Sequence, residues 1–142
     1  MSTIEKQGLE NEWLLLQSQF DGYEKYSLLI KLLSITLLCS FYLFSDVTFF
    51  TVTILLILWM QDAIWKTFQS RIEPRLLGLE QSIKNDLVDE KYEPPYQFNS
   101  QYYQSRPSQF GLIKEYISQS LRPTIAFPHI VLFTLAVIAL FG

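Results

Sequence analysis

The sequence predicts an all-α integral membrane protein. Its expected parts are a transmembrane helical hairpin with cytoplasmic coiled-coil-like arms, an interfacial amphipathic helix and a third, C-terminal transmembrane helix. Three observations predict this class. The chain of 142 residues is 49% hydrophobic and only 18% charged, apolar-heavy and charge-poor beside a soluble domain. Much of the apolar content sits in two regions, Ser27 to Trp65 and Thr124 to Phe141. A soluble core would spread it among polar residues at helical or strand spacing. Finally, eight of the eleven Lys and Arg residues (Lys66, Arg71, Arg75, Lys84, Lys91, Arg106, Lys114 and Arg122) fall between the two regions.

Residues 1–26 are expected outside the bilayer, with a helix over Ile4 to Tyr26. Leu9, Trp13, Leu16, Phe20, Tyr23 and Ser27 alternate in spacings of four and three, a heptad-like stripe suited to a partner helix. Gly22 weakens the helix near the membrane. Few basic residues are present to hold this segment on anionic lipid.

The hairpin occupies 27–65. Its first span, 27–44 (SLLIKLLSITLLCSFYLF), is at the short end of the length that a hydrocarbon core of about 30 Å requires. Ser45 to Thr48 leaves room only for a tight turn. The second span, 49–65 (FFTVTILLILWMQDAIW), is rich in β-branched residues, yet its length and unbroken apolarity favour a helix. A helix that is apolar all round belongs in a core or a membrane, and the remaining chain is too short to wrap one.

Residues 66–123 form the middle section. The helix is expected to continue past Trp65 until Pro74, which lacks an N–H and either kinks a helix or starts a new one. Leu76, Leu79, Ile83 and Leu87 then make a second stripe, placed to meet the first in an antiparallel coiled-coil extension. Asp89 to Ser108 is expected to be irregular, with Glu93-Pro94-Pro95-Tyr96 ending the helix. Its tyrosines, Tyr92, Tyr96, Tyr102 and Tyr103, suit a loop pressed on the membrane interface. With Trp13, Tyr96, Tyr102 and Tyr103 are also candidates for docking a partner. Gln109 to Leu121 reads as an amphipathic helix in the interface, with Phe110, Ile113, Ile117 and Leu121 on one face. Arg122-Pro123 breaks it, and 124–142 holds the third span.

Positive charge in short flanking loops sets orientation. The N-terminus and 66–123 are therefore expected on the cytoplasmic side, with the hairpin turn and C-terminus outside or periplasmic. That places a multi-pass protein in the cytoplasmic (inner) membrane. No signal peptide is expected, because the first 26 residues carry Glu5, Glu10, Glu12, Asp21 and Glu24 against Lys6 and Lys25.

Several function classes lose support. A net charge of −3 is far from the basic balance of a nucleic-acid binder. One cysteine, Cys39, and one histidine, His129, are too few for a zinc or iron–sulfur site, so no metal or cofactor is expected. Metalloprotease, nucleophile-elbow, phosphate-loop and dinucleotide motifs are all missing, and a non-catalytic role is expected.

One constellation stands out, because ionisable groups inside a bilayer are costly. Lys31, Asp62 and His129 fall at similar depth on three spans, near the inner leaflet. Three readings apply: independent contact with headgroups, with Lys31 snorkelling; a Lys31–Asp62 pair that glues the hairpin; or a proton or ion site within a homo-oligomer. The expected function is that of an accessory, scaffold or interaction subunit, with the lipid bilayer and a membrane or cytoplasmic protein as partners. A homo-oligomeric channel or membrane-disrupting effector is the second expectation, and an immunity or exclusion protein the third.

Overall fold

A computed structural model of the chain describes residues 3–84, 94–105 and 107–142. The described residues are 90% helical and include no strand. The helices are α1 (Thr3–Phe44), α2 (Phe49–Lys84), α3 (Phe98–Ser105), α4 (Gln109–Ser120) and α5 (Pro123–Phe141).

The heptad-like tract and the first apolar stretch are one helix. At 1.5 Å per residue, the 42 residues of α1 extend about 63 Å, about twice the thickness of a hydrocarbon core. The tight turn that follows is closed by threonines. The Thr48 backbone N–H donates to Thr51 Oγ1 at 3.3 Å, so the third residue of α2 reaches back to cap its start. Helix α2 then returns antiparallel to α1. Helix α5 begins with Pro123 in the first helical turn, where the missing N–H is no loss.

Three layers of contact follow one another along this frame. Farthest from the chain's N-terminus, Leu38, Val52, Leu55, Leu132 and Ala136 pack together. The middle layer is polar and is described below. In the third, beyond α5, Leu9, Leu16, Ile72, Leu76 and Leu79 are buried between α1 and α2, with Trp13, Phe20, Tyr23, Ile83 and Phe98 against them. Leu38 and Leu132 share the first layer, while Ser27 and His129 both meet Asp62 in the polar one; α5 thus runs parallel to α1.

Helices α1, α2 and α5 are each long and apolar enough to cross a membrane. Their outward faces are apolar as well: Leu29, Leu33, Ile57, Ile130 and Leu135 are all exposed. Contiguous apolar surface on this scale is foreign to soluble monomers. The hydroxyls on these faces are satisfied within their own helices. Thr36, Ser40, Thr53 and Thr134 each donate to the carbonyl four residues earlier, at 2.8–2.9 Å.

One expectation needs correction. The tract from Asp89 to Ser108 is not irregular throughout, because Phe98–Ser105 forms α3. Its local propensity is weak, but Phe98 packs on the arm cluster and Arg71 holds Tyr102, so tertiary contacts decide. Of the two readings of Pro74, the fresh start does not occur, since α2 passes through it. Pro74 is exposed while Ile72 and Leu76 on either side are buried against α1, and that packing offsets the lost hydrogen bond. Leu87, Lys91, Tyr92, Glu93 and Arg106 lie outside the described residues.

Candidate functional site

The polar layer centres on Asp62, whose side chain is fully buried. Ser27 Oγ, on α1, donates a hydrogen bond to Asp62 Oδ1. His129 Nε2, on α5, lies 3.1 Å from Oδ2. Lys31 Nζ, one turn after Ser27, sits 3.6 Å from Oδ2 and donates to Ser27 Oγ at 3.2 Å. The Lys31 side chain keeps 19% exposure, whereas His129 keeps 1%. The lysine therefore reaches the surface of the helix bundle; the histidine has no such exit.

The sequence explains why these groups converge. Ser27 and Lys31 stand four residues apart and so share a face of α1. Small residues, Ser34, Ala63 and Ala136, are buried at the helix contacts, where they let backbones approach closely. Trp59, one turn before Asp62, stacks on His129 with ring centroids 6.1 Å apart and planes 10° apart. Its Nε1 donates to the Ser120 carbonyl at the end of α4, at 3.1 Å. One side chain thus joins the polar layer to the helix that leads into α5.

Chemically, the arrangement is a closed circuit. A carboxylate in low dielectric is tolerated when it is paired and hydrogen-bonded, and Asp62 is both. The serine and the histidine bond opposite oxygens of the same carboxylate.

A second polar centre lies in the arms. Arg75 Nε and Nη2 reach Glu12 Oε1 and Oε2 at 3.0 Å each, a bidentate pair with both side chains buried. Arg75 Nη2 also donates to the Pro94 carbonyl at 3.0 Å. The Tyr96 backbone N–H donates to Glu12 Oε2 at 2.6 Å. The ion pair thereby ties residues 94–96 across the hairpin, and Gly8 leaves room for the Pro95 ring.

A third centre docks α4. Arg71 Nη2 and Nε reach Glu115 at 3.0 and 3.4 Å. Its guanidinium lies over the Phe68 and Tyr102 rings, 5.5 and 5.3 Å from their centroids. Burial works against the Arg71 charge, but Glu115 outweighs it and holds the pKa above the ordinary value. Gln119 Nε2 donates to Ser70 Oγ at 3.1 Å. A cleft of about 380 Å³ between Arg71, Pro74, Phe98, Tyr102 and Glu115 remains beside this dock.

Lys31, Asp62 and His129 are thus brought together. The four partner-docking candidates are divided. Trp13 packs on the arm cluster and donates from Nε1 to Glu80 Oε1 at 3.1 Å. Tyr102 is engaged by Arg71. Tyr96 and Tyr103 are exposed. Sequence reasoning missed Ser27, Trp59 and the Glu12–Arg75 pair, although a signal for that pair was present. Glu12 interrupts the Leu9–Leu16 stripe and Arg75 the Ile72–Leu79 stripe, each at three-and-four spacing. Opposite charges embedded in two facing apolar stripes point to a buried pair.

No protein-family model, curated protein or solved structure matches this chain.

Proposed function

We propose that the chain is a non-catalytic scaffold or accessory subunit of the cytoplasmic membrane. Its three spans form the anchor, and the α1–α2 arm with the 94–105 segment is the cytoplasmic platform. The carrying observation is the saturation of its two buried carboxylates. Asp62 is satisfied by Ser27, His129 and Lys31, and Glu12 by Arg75 and Tyr96. Such groups rigidify a fold once every member is paired. The lipid-facing hydroxyls bond back to their own helices, which leaves little polar surface to line a pore between copies. The concentration of basic residues in 66–123 supports a cytoplasmic arm, and exposed Leu14, Leu15, Tyr96 and Tyr103 supply a surface for a protein partner.

Purification of the full chain from native membranes in mild detergent tests this reading. A protein partner in fixed stoichiometry, lost on Leu14→Glu/Tyr103→Glu, is expected. Partner-free oligomers that depolarise membranes on reconstitution would overturn it in favour of a channel.

A further inference from the structure

Helix α4 is folded inside out relative to a soluble amphipathic helix. Its polar residues Glu115 and Gln119 face α2, bound to Arg71 and Ser70. Its apolar stripe points away: Phe110, Ile113, Ile117 and Leu121 are 86%, 55%, 50% and 63% exposed. In water this would leave the apolar stripe uncovered while burying the polar face, the reverse of what the hydrophobic effect favours.

We infer that this stripe docks on the cytoplasmic leaflet. Three features of its placement commit the face to lipid. Only two residues separate α4 from the apolar helix α5, and the Trp59–Ser120 bond ties its end to the level of the polar layer. The stripe is therefore continuous with the lipid-facing surface of α5, beginning at exposed Phe127. Trp59, beside the polar layer, holds Ser120, while Ser70 and Arg71 farther along α2 hold Gln119 and Glu115. Helix α4 thus descends along α2 toward the apolar helices. Lys114 borders the stripe and Arg122 follows it, both exposed, where cations meet anionic headgroups.

The inference rests on the membrane reading, and the test separates the two. Full-length protein carrying Cys39→Ser is reconstituted into vesicles of phosphatidylcholine and phosphatidylglycerol. Nitroxide labels are placed singly through Ile113→Cys, Ile117→Cys, Ser118→Cys and Leu135→Cys. Collisions with oxygen, which partitions into lipid, are compared with collisions with a water-soluble nickel chelate. Labels at 113 and 117 are expected to favour oxygen, as the label at 135 does, while the label at 118 favours the chelate. If 135 favours oxygen but 113 and 117 favour the chelate, the docking proposal falls and the spans stand. Spin–spin broadening at 113 and 117 that disappears on dilution with unlabelled protein would assign the face to a second copy and also overturn it. A label at 135 that favours the chelate would remove the membrane reading, and the proposal with it.

Discussion

His129 Nε2 lies 3.1 Å from Asp62 Oδ2, across 67 residues of sequence and between two apolar helices. With Ser27 and Lys31 on a third helix bound to the same carboxylate, this contact makes α1, α2 and α5 depend on one buried group.

Asp62→Leu is expected to destabilise the bundle by about 2–4 kcal/mol. That lies between a single intramembrane hydrogen bond and a broken buried ion pair, because His129 is stranded while Lys31 can turn outward. Lys31→Leu alone leaves the carboxylate uncompensated, so the double variant should cost less than the two single changes together, with a coupling of about 0.5–3 kcal/mol. Unfolding from mild detergent into dodecyl sulfate, followed by tryptophan fluorescence, measures both. Single variants as stable as the parent would show that the cluster holds nothing together.

Arg75→Ala should be the costliest single change in the arm, about 3–5 kcal/mol, since it leaves Glu12 buried without its partner. Replacing both residues, with Glu12→Leu and Arg75→Met, should recover most of that loss. The double variant still releases residues 94–96, because Tyr96 N–H loses its acceptor. Chymotryptic cleavage after Tyr96 should therefore accelerate in the double variant while arm helicity is retained. Protection of Tyr96 would contradict the tie.

Gly78 has open space where a Cβ would stand, whereas a Cβ on Gly8 would meet Pro95 Cγ at 3.2 Å. Relief of glycine's entropic cost in mid-helix is worth about 0.5–1 kcal/mol. Gly78→Ala should gain that amount, and Gly8→Ala should gain distinctly less. Equal gains would mean that Pro95 does not press on α1 in solution.

Arg71→Lys is not a conservative change. An ammonium cannot reproduce the two-pronged contact with Glu115 or lie flat between Phe68 and Tyr102. The Arg71–Glu115 pair is partly exposed, so the loss should stay near 1 kcal/mol. That is enough to raise amide exchange across Gln109–Ser120 about fivefold without altering exchange in α5. Unchanged exchange in α4 would show that the docking rests on other contacts.

The sequence by itself determined the helical class and the three apolar helices. Runs such as Ser27 to Phe44 need no partner to be recognised, because local composition and length decide them. It also marked the arm stripe from Leu9 to Tyr23, since helical periodicity is a property of one strand of chain. Only the tertiary structure decided that Lys31, Asp62 and His129 meet, with Ser27 as donor and Trp59 as cover. It alone made a helix of Phe98–Ser105, carried α2 through Pro74 and turned the polar face of α4 inward. Each of these depends on groups tens of residues apart, and the energy of a buried contact is set by what lies across from it, which periodicity along one helix does not encode.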